Sequence, residues 1–493
     1  MLRLARLAID TWREPVAYLN RGCTAYAAES FLGPRKVEVA GGGRAVTCAL
    51  NLVDDAALVA PDALALSAHA FALLGLQEGA PVTIRRAPEP ASRAALRARI
   101  AGRRLGDADV DAVVEDMVAG RYAGRETAGF LVAAAQTLDD DEVIAFASAR
   151  AGRSAKIVWP DGMVVDKHSM GGIPGTRVTM VVVPIVVAHG LTIPKAASRA
   201  ITSPAGTADA MEVLARVDLD ADEVRRVVSE VGGCIVWNGR LSHSPIDDVM
   251  NAVTRPLGIV SDRLSVSSIL SKKAALGVTH IVFDIPVGPT AKVATRAEAD
   301  ALARLFAVTA EGLGIAARCE ITDGSQPIGR GVGPALEARD VAKVLAGDPD
   351  APADLRDKAL MLAARVLAFA GMAEPRERAE TLLESGAAAR AMERLIDAQG
   401  RNPDPPGPGR LTREVAAERS GTVAAIDCYR IAGIARRAGA PLEKSAGIDL
   451  FRQRGDRVEA GEPLYRIHAE EQADLAEAAG YAEQGSGYEI AVG

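Results

Sequence analysis

Between residues 156 and 401 strand-like and helix-like segments alternate, and that alternation constrains the fold more than any other feature of the sequence. GMVVDKHS reads as a strand, VTMVVVPIVVAHG as a buried helix and LTIPKAAS as a strand. TADAMEVLARV is then helical, and GGCIVWNG and VTHIVFDIPV are extended. Parallel strands need a crossover between them, so repeated strand–helix alternation predicts an α/β domain built on a largely parallel sheet. The other segments read differently. Residues 1–88 are β-rich, with short runs such as RKVEVAG and AVTCALNLV broken by the GGGR turn at 41–44. Residues 89–155 and 243–275 are helical and predict a smaller all-α domain formed from two stretches of chain. The run NPDPPGPG at 402–409 denies both helix and sheet and reads as a linker. Beyond it, residues 410–493 predict a C-terminal α+β domain. The α/β domain itself takes residues 156–242 and 276–401. No internal repeat is visible.

A chain of 493 residues exceeds one ordinary core, and about three domains are expected from length alone. With 49% apolar residues and only 4% aromatics, the cores must be packed with Ala, Val, Leu and Ile. A net charge of −7 argues against a nucleic-acid surface but leaves room for a local basic pocket holding one small anion. The five cysteines are scattered without metal-ligand spacing and read as free thiols in a reducing compartment. MLRLARLAIDTWREP meets charges and a proline before a signal-peptide core can form, and the apolar run Val178–Ala188 is too short to span a bilayer. The expectation is a cytoplasmic protein with no membrane partner.

Chemistry is concentrated in three places. In Asp166-Lys167-His168-Ser169-Met170-Gly171-Gly172-Ile173-Pro174-Gly175-Thr176 a strand ends in a cation, an imidazole and a hydroxyl, then a glycine loop opens into a helix. Glycines let backbone N–H groups approach an anion, and the helix start adds positive potential. No G-K-[ST] follows, so this is not a Walker loop. The loop Ser198-Arg199-Ala200-Ile201-Thr202-Ser203-Pro204-Ala205-Gly206-Thr207 repeats the logic one strand later; Ser and Thr also cap helices, so it reads as an anion site only as one of a pair. The third place is Arg255 followed by Ser268-Ile269-Leu270-Ser271-Lys272-Lys273. Ser268 and Lys272 share a helix face, which serves equally as a solvated face or as a grip on a flat ligand rich in carbonyls.

At these segments the sequence resembles the thymidine phosphorylase family, which includes pyrimidine-nucleoside phosphorylases and archaeal AMP phosphorylase. Asp166–Gly172 looks like the family's D-K-H-S-x-G-G signature, and Arg255 in VTRPLG with Ser268–Lys272 in SSILSKK looks like its base-recognition residues. SRAITSPAGTAD and the β-rich start are closer to the nucleotide-using archaeal branch. One departure concerns the acid: the archaeal P-L-x-x-D stretch reads Pro256-Leu257-Gly258-Ile259-Val260 here, with Asp262 two residues further on.

The resemblance implies a nucleoside phosphorylase/phosphoribosyltransferase-like fold. It also implies reversible phosphorolysis of a pyrimidine nucleoside, thymidine and phosphate giving thymine and 2-deoxyribose 1-phosphate. It assigns phosphate to Lys167, Ser169, Gly172, Thr179, Ser198 and Thr207, with Arg199, Thr202 and Ser203 in the same loop. Arg255, Ser268, Lys272 and Lys292 fall to the base or nucleoside. The acid is His168, whose imidazole ordinarily titrates near neutral pH, or Asp262. No metal or organic cofactor is expected, inorganic phosphate being a substrate, and the family pattern implies a homodimer or a higher homo-oligomer. Two alternatives stay open: a nucleoside 5′-monophosphate phosphorylase yielding ribose 1,5-bisphosphate, and a non-catalytic nucleotide sensor. A phosphoribosyltransferase would need an acidic metal–diphosphate site, and neither loop supplies a convincing pair of carboxylates. His243 reads as a loop histidine and His189 as a helix-end residue, while His69, His280 and His468 lack any supporting pattern.

Overall fold

The structure is a computed structural model describing residues 1–12, 14–31, 36–160, 162–200, 203–241 and 245–492. The chain forms two compact units, one from residues 1–150 with 244–268, the other from 151–243 with 269–493.

In the first unit six strands close into a barrel: β1 (Leu2–Leu7), β2 (Val16–Asn20), β3 (Val37–Gly41), β4 (Arg44–Val53), β5 (Ala63–Ser67) and β6 (Pro81–Arg86), in the order β1-β5-β2-β4-β3-β6. Alternate residues such as Leu2 and Leu4, Val37 and Val39, and Val82 and Ile84 point inward, as the two-residue period of a strand requires. The GGGR turn joins β3 to β4 through Gly42 and Gly43, both at positive φ (54° and 76°), the geometry of a tight hairpin that suits glycine. The same unit holds helices Arg93–Ile100, Asp107–Val118, Gly124–Thr137, Asp140–Gly152 and Pro245–Thr254. Buried Arg99 is neutralised by Glu142, and Phe130 stacks on Phe146 with ring centroids 5.8 Å apart.

The second unit carries the parallel sheet. Its strands are β7 (Val165–Ser169), β8 (Ile193–Ala197), β9 (Gly233–Trp237), β10 (His280–Val287) and β11 (Ala316–Asp323). β11, β10 and β7 pair in parallel, as do β8 and β9, and a parallel bridge between Val164 and Thr192 links the two groups just ahead of β7 and β8. The helix Thr179–His189 is apolar all round and buried from Thr179 to Val187, as expected of a helix inside an α/β core. It stops at Gly190, which takes a left-handed φ of 98°. The helix Asp262–Ala275 ends at Ala275, while the boundary between the two compact units falls within it, after Ser268. Its last turns belong to the sheet unit: Ala275 O accepts from Ile157 N at 2.9 Å and Lys273 reaches Asp166.

After the 402–409 linker, antiparallel strands Leu411–Ala416, Gly421–Ile426, Gly447–Leu450, Pro463–Ala469 and Tyr488–Ala491 accompany helices Cys428–Arg437 and Gln472–Glu483 around their own core. Among the described residues no helix is long and apolar enough to cross a membrane, and all five cysteines are free.

Candidate active site

The carboxyl end of β7 gathers a cluster of buried charge in the second unit, with Asp166, Lys167, Lys195, Lys273 and Asp284 all buried. Successive strand residues point to opposite faces, so Asp166 and His168 share one side while Lys167 and Ser169 share the other. Asp166 is fully buried and pairs with Lys195 Nζ on β8 at 3.1 Å and Lys273 Nζ at 2.6 Å. Burial works to raise its pKa, but Lys195 and Lys273 outweigh that and hold the carboxyl below its ordinary range. Lys195 also donates to Lys167 O at 2.6 Å, pinning β7 to β8.

On the opposite face Lys167 is also buried. Its Nζ donates to Ser169 Oγ and lies 3.4 Å from Thr179 Oγ1. Burial lowers its pKa to about 7; Asp284 opposes the fall, while Lys195, Lys358 and Arg177 add to it. Ser169 Oγ donates to Asp284 Oδ2 at 2.5 Å. Asp284 lies opposite Ser169 in the β7–β10 register, and its Oδ1 accepts from Thr322 Oγ1 at 2.6 Å. Lys358 completes the group, 3.4 Å from Asp284 and 2.9 Å from Thr322 Oγ1. Burial raises the Asp284 pKa, yet Lys358 and Lys167 together bring it below the usual value, so the carboxylate is ionised.

His168 departs from the sequence expectation. Its ring meets Phe283 edge-on with centroids 6.1 Å apart, and Phe283 stacks on Phe306. The residue keeps partial exposure, but burial of the ring, reinforced by Lys273, Lys195, Lys167 and Lys292, drives its pKa well below the ordinary value. The free protein therefore holds a neutral imidazole, not one titrating near neutral pH. The lysines responsible for this lie largely outside the motif.

The glycine loop is shaped for close approach. Gly171, Gly172 and Gly175 have φ of 64°, 99° and 75°. Lys292 packs over Gly172: a Cβ there would sit 2.9 Å from Lys292 Cγ. At Gly175 a Cβ would fall 2.1 Å from Ile328 O, a backbone atom. Gly175→Ala therefore combines a forbidden φ with a backbone clash. It is expected to lower stability by at least about 1 kcal/mol and to displace the loop, seen as a lower Tm together with a raised KM for the bound anion.

The second loop is only partly directed outward. Ser198 is exposed, and Thr207 Oγ1 accepts from Arg177 Nη1 at 3.3 Å. Arg199 turns back to form a two-pronged pair with Glu212 at 2.6 Å and 2.6 Å and lies 5.0 Å over Trp237, so its guanidinium is committed within the loop rather than offered to phosphate. Ser203 Oγ donates to Ala205 O at 3.0 Å, and Asp209 Oδ2 accepts from Ala200 N at 2.7 Å and Gly206 N at 2.9 Å, closing the loop on itself. Thr202 and His243 lie outside the described residues.

In the first unit Arg255 is exposed just after the helix Pro245–Thr254, and Asp262 is the exposed first residue of Asp262–Ala275. Ser268 Oγ donates to Asp247 Oδ1 at 3.3 Å, and Asp247 is paired with Arg150. Lys272 follows one turn later on the same helix and is half-buried.

The structure thus brings Lys167, Ser169 and Thr179 into contact, sets Lys292 against Gly172, and ties Thr207 to Arg177. Sequence reasoning named Lys273 only within its helical run, with no role, and missed Lys195, Asp284, Thr322, Lys358, Arg177 and Glu337. Burial pushes Glu337 up to about 7 despite its pair with Arg177. For Asp284 and Lys195 a signal was present, since each is a charge inside an apolar strand, HIVFDIPV and IPKAA. Among the described residues no group of three His, Cys, Asp or Glu side chains is placed to hold a metal.

The near-neutral pKa of Lys167 has a measurable consequence. Its ammonium form attracts an anion, so above about pH 7 the apparent KM for phosphate should rise in the wild type. Because arginine stays charged, Lys167→Arg should flatten that rise even if its KM is higher throughout. An equal rise in both proteins would show that Lys167 does not titrate there.

Residues 161–389 match the a/b domain of the glycosyl transferase family, and residues 422–489 match the pyrimidine nucleoside phosphorylase C-terminal domain. A bifunctional ribose 1,5-bisphosphokinase-thymidine phosphorylase of Azorhizobium caulinodans is 56% identical over 492 residues, spanning 99% of this chain and 71% of that protein. A Methylococcus capsulatus protein carrying thymidine phosphorylase in its name is 48% identical over 497 residues, spanning 99% and 96%. Anthranilate phosphoribosyltransferase of Thermus thermophilus has a similar fold, with a TM-score of 0.54 at 20% identity over 62% of this chain and 99% of that one. Fold and domain composition define a pentosyltransferase with a phosphoribosyltransferase-like α/β core. Identity at this level along nearly the whole chain is decisive: the protein belongs to the thymidine phosphorylase family.

Proposed function

We propose that the protein catalyses reversible phosphorolysis of the N-glycosidic bond of a pyrimidine nucleoside, thymidine and phosphate giving thymine and 2-deoxyribose 1-phosphate. The observation that carries this reading is the convergence of Lys167, Ser169 and Thr179 at the end of β7, a buried cation with two hydroxyls beside a glycine loop. A phosphate oxygen held there attacks C1′ as the C–N bond lengthens and the pyrimidine leaves with the bonding electrons. Lys167 offsets the charge of the attacking anion, and the hydroxyls orient it. Ser198, Thr207 and the backbone around Gly172 complete the phosphate side in this reading. Arg255, Ser268, Lys272 and Lys292 are assigned to the nucleoside through the family resemblance.

His168 is the favoured acid, in a form coupled to phosphate. Burial comes first in keeping the free imidazole neutral, and of the lysines that add to it Lys167 and Lys292, beside the glycine loop, are charges a phosphate dianion would offset. Anion binding therefore raises the proton affinity of His168 before the departing base needs a proton. Asp262 is the alternative donor. The scheme needs no metal or organic cofactor, and a cytoplasmic homodimer is the proposed working form.

A second reading draws on one observation: the Azorhizobium relative joins a ribose 1,5-bisphosphokinase to a thymidine phosphorylase in one chain. Ribose 1,5-bisphosphate is what phosphorolysis of a nucleoside 5′-monophosphate yields. Purified protein assayed for phosphate-dependent base release on thymidine, uridine, AMP, CMP and UMP separates the two. Release from thymidine or uridine supports the nucleoside reading, and release confined to monophosphates replaces it with the second. Ligand binding with no release from any of them overturns both in favour of a sensor.

A further inference from the structure

We infer that Asp284, acting through the Ser169 hydroxyl, makes the phosphate site selective for an oxyanion that carries a proton. The inference rests on the reading of this cluster as the phosphate site and adds a specificity rule to it. A serine hydroxyl has one proton to donate and two lone pairs to accept with. At Ser169 the proton is spent on Asp284 Oδ2 at 2.5 Å, and one lone pair is taken by Lys167 Nζ. What remains for a ligand is an acceptor.

The arrangement is held from behind. Asp284 cannot release the Ser169 proton easily, because its other oxygen is fixed by Thr322 at 2.6 Å, with Lys358 3.4 Å away keeping the carboxylate ionised. The Thr322 hydroxyl is locked in the same way, accepting from Lys358 at 2.9 Å while donating to Asp284. Thr322, held by Lys358, and Ser169 therefore both donate into Asp284 from opposite sides, which leaves a Ser169 lone pair beside Lys167.

An anion-binding cluster that presents an acceptor is matched only by an anion with a hydroxyl of its own. Hydrogen phosphate and hydrogen arsenate have one. Sulfate is fully deprotonated at neutral pH and offers only acceptors, so it would set lone pair against lone pair and bring the Asp284 charge to bear without compensation. Sites built to hydrogen-bond a substrate hydroxyl reject analogues that lack it by as much as ~10⁴–10⁵. With several cations nearby to attract any dianion, a smaller factor, at least ~10², is expected here. Asp284 is a positioning residue in this account, since it touches the ligand only through Ser169.

The test is calorimetric titration of the full chain with phosphate, arsenate and sulfate, without nucleoside, for wild type, Asp284→Asn and Ser169→Ala. Wild type should bind phosphate and arsenate alike and sulfate at least ~10²-fold more weakly. In Asp284→Asn the amide can donate to Ser169 Oγ, freeing the hydroxyl proton to turn toward the anion. Phosphate should then weaken, sulfate should strengthen, and the ratio should fall at least tenfold. Ser169→Ala removes the acceptor while leaving the Asp284–Lys358 pair in place, and should lower the ratio as well. It carries the test if Asp284→Asn fails to fold. A wild-type sulfate affinity within threefold of phosphate, or a ratio unchanged in the folded variants, overturns the inference. Its failure is separable from that of the proposed function: base release with no discrimination against sulfate sinks only the specificity rule, whereas discrimination without base release sinks only the phosphorolysis.

Discussion

Asp166→Ala is expected to destabilise the protein by about 3–5 kcal/mol, the range seen when one partner of a buried ion pair is removed. Lys195 and Lys273 have side chains only 4% exposed, and both are neutralised by this one carboxylate. Its loss leaves two buried ammonium groups facing each other and orphans the backbone N–H of Lys167, which donates to Asp166 Oδ1 at 2.6 Å. The strand carrying Lys167 and Ser169 is tied to β8 and to the helix Asp262–Ala275 through the same residue, so local order should go with stability. Because the carboxyl pKa is depressed in the folded state, the stabilisation is present at neutral pH and fades as pH falls through the carboxylate range. Urea unfolding of wild type and variant at neutral pH measures the loss. Matching midpoints would mean that the two lysines find other partners.

Lys167→Met should leave a folded protein, since it exchanges a buried charge for an apolar side chain of similar length, while phosphorolysis falls by ~10²–10³ in kcat/KM for phosphate. The effect should exceed that of Ser169→Ala, because the lysine supplies charge and the serine only orientation. Circular dichroism and unfolding midpoints establish that the variant is folded, and base release gives the rate. A folded Lys167→Met variant within threefold of wild type would remove Lys167 from the chemistry.

How much of this was legible in the sequence depends on how local each cause is. The parallel sheet was, because strand–helix alternation and the glycine loop after Ser169 are written within short stretches of chain. The closure of residues 2–86 into a barrel was not. It depends on parallel pairing of β1 with β5 and β2 with β4, segments separated by dozens of residues with no periodic mark of their partnership.

Side-chain commitments divide the same way. The grouping of Lys167, Ser169 and Thr179 follows from the signature and the helix behind it. The diversion of Arg199 to Glu212 depends on how the loop folds back through Asp209, and composition cannot reveal that. His168 shows the limit most clearly. Its motif suggests an imidazole with ordinary acidity, yet its proton affinity is set by burial and by lysines from β8, the helix Asp262–Ala275 and the 288–293 turn. Asp284 could have been found as a charge in an apolar strand, but its partner Lys358 lies 74 residues further along the chain.

The central claim is that phosphate held at the end of β7 attacks the sugar directly. Incubating the protein with thymidine and oxygen-18-labelled phosphate and weighing the sugar product by mass spectrometry tests it. The account predicts 2-deoxyribose 1-phosphate retaining every labelled oxygen, formed in equal amount with thymine and lost in Lys167→Met. Free deoxyribose with unlabelled oxygen at C1 would instead mean that water, not phosphate, is the nucleophile, and would contradict it.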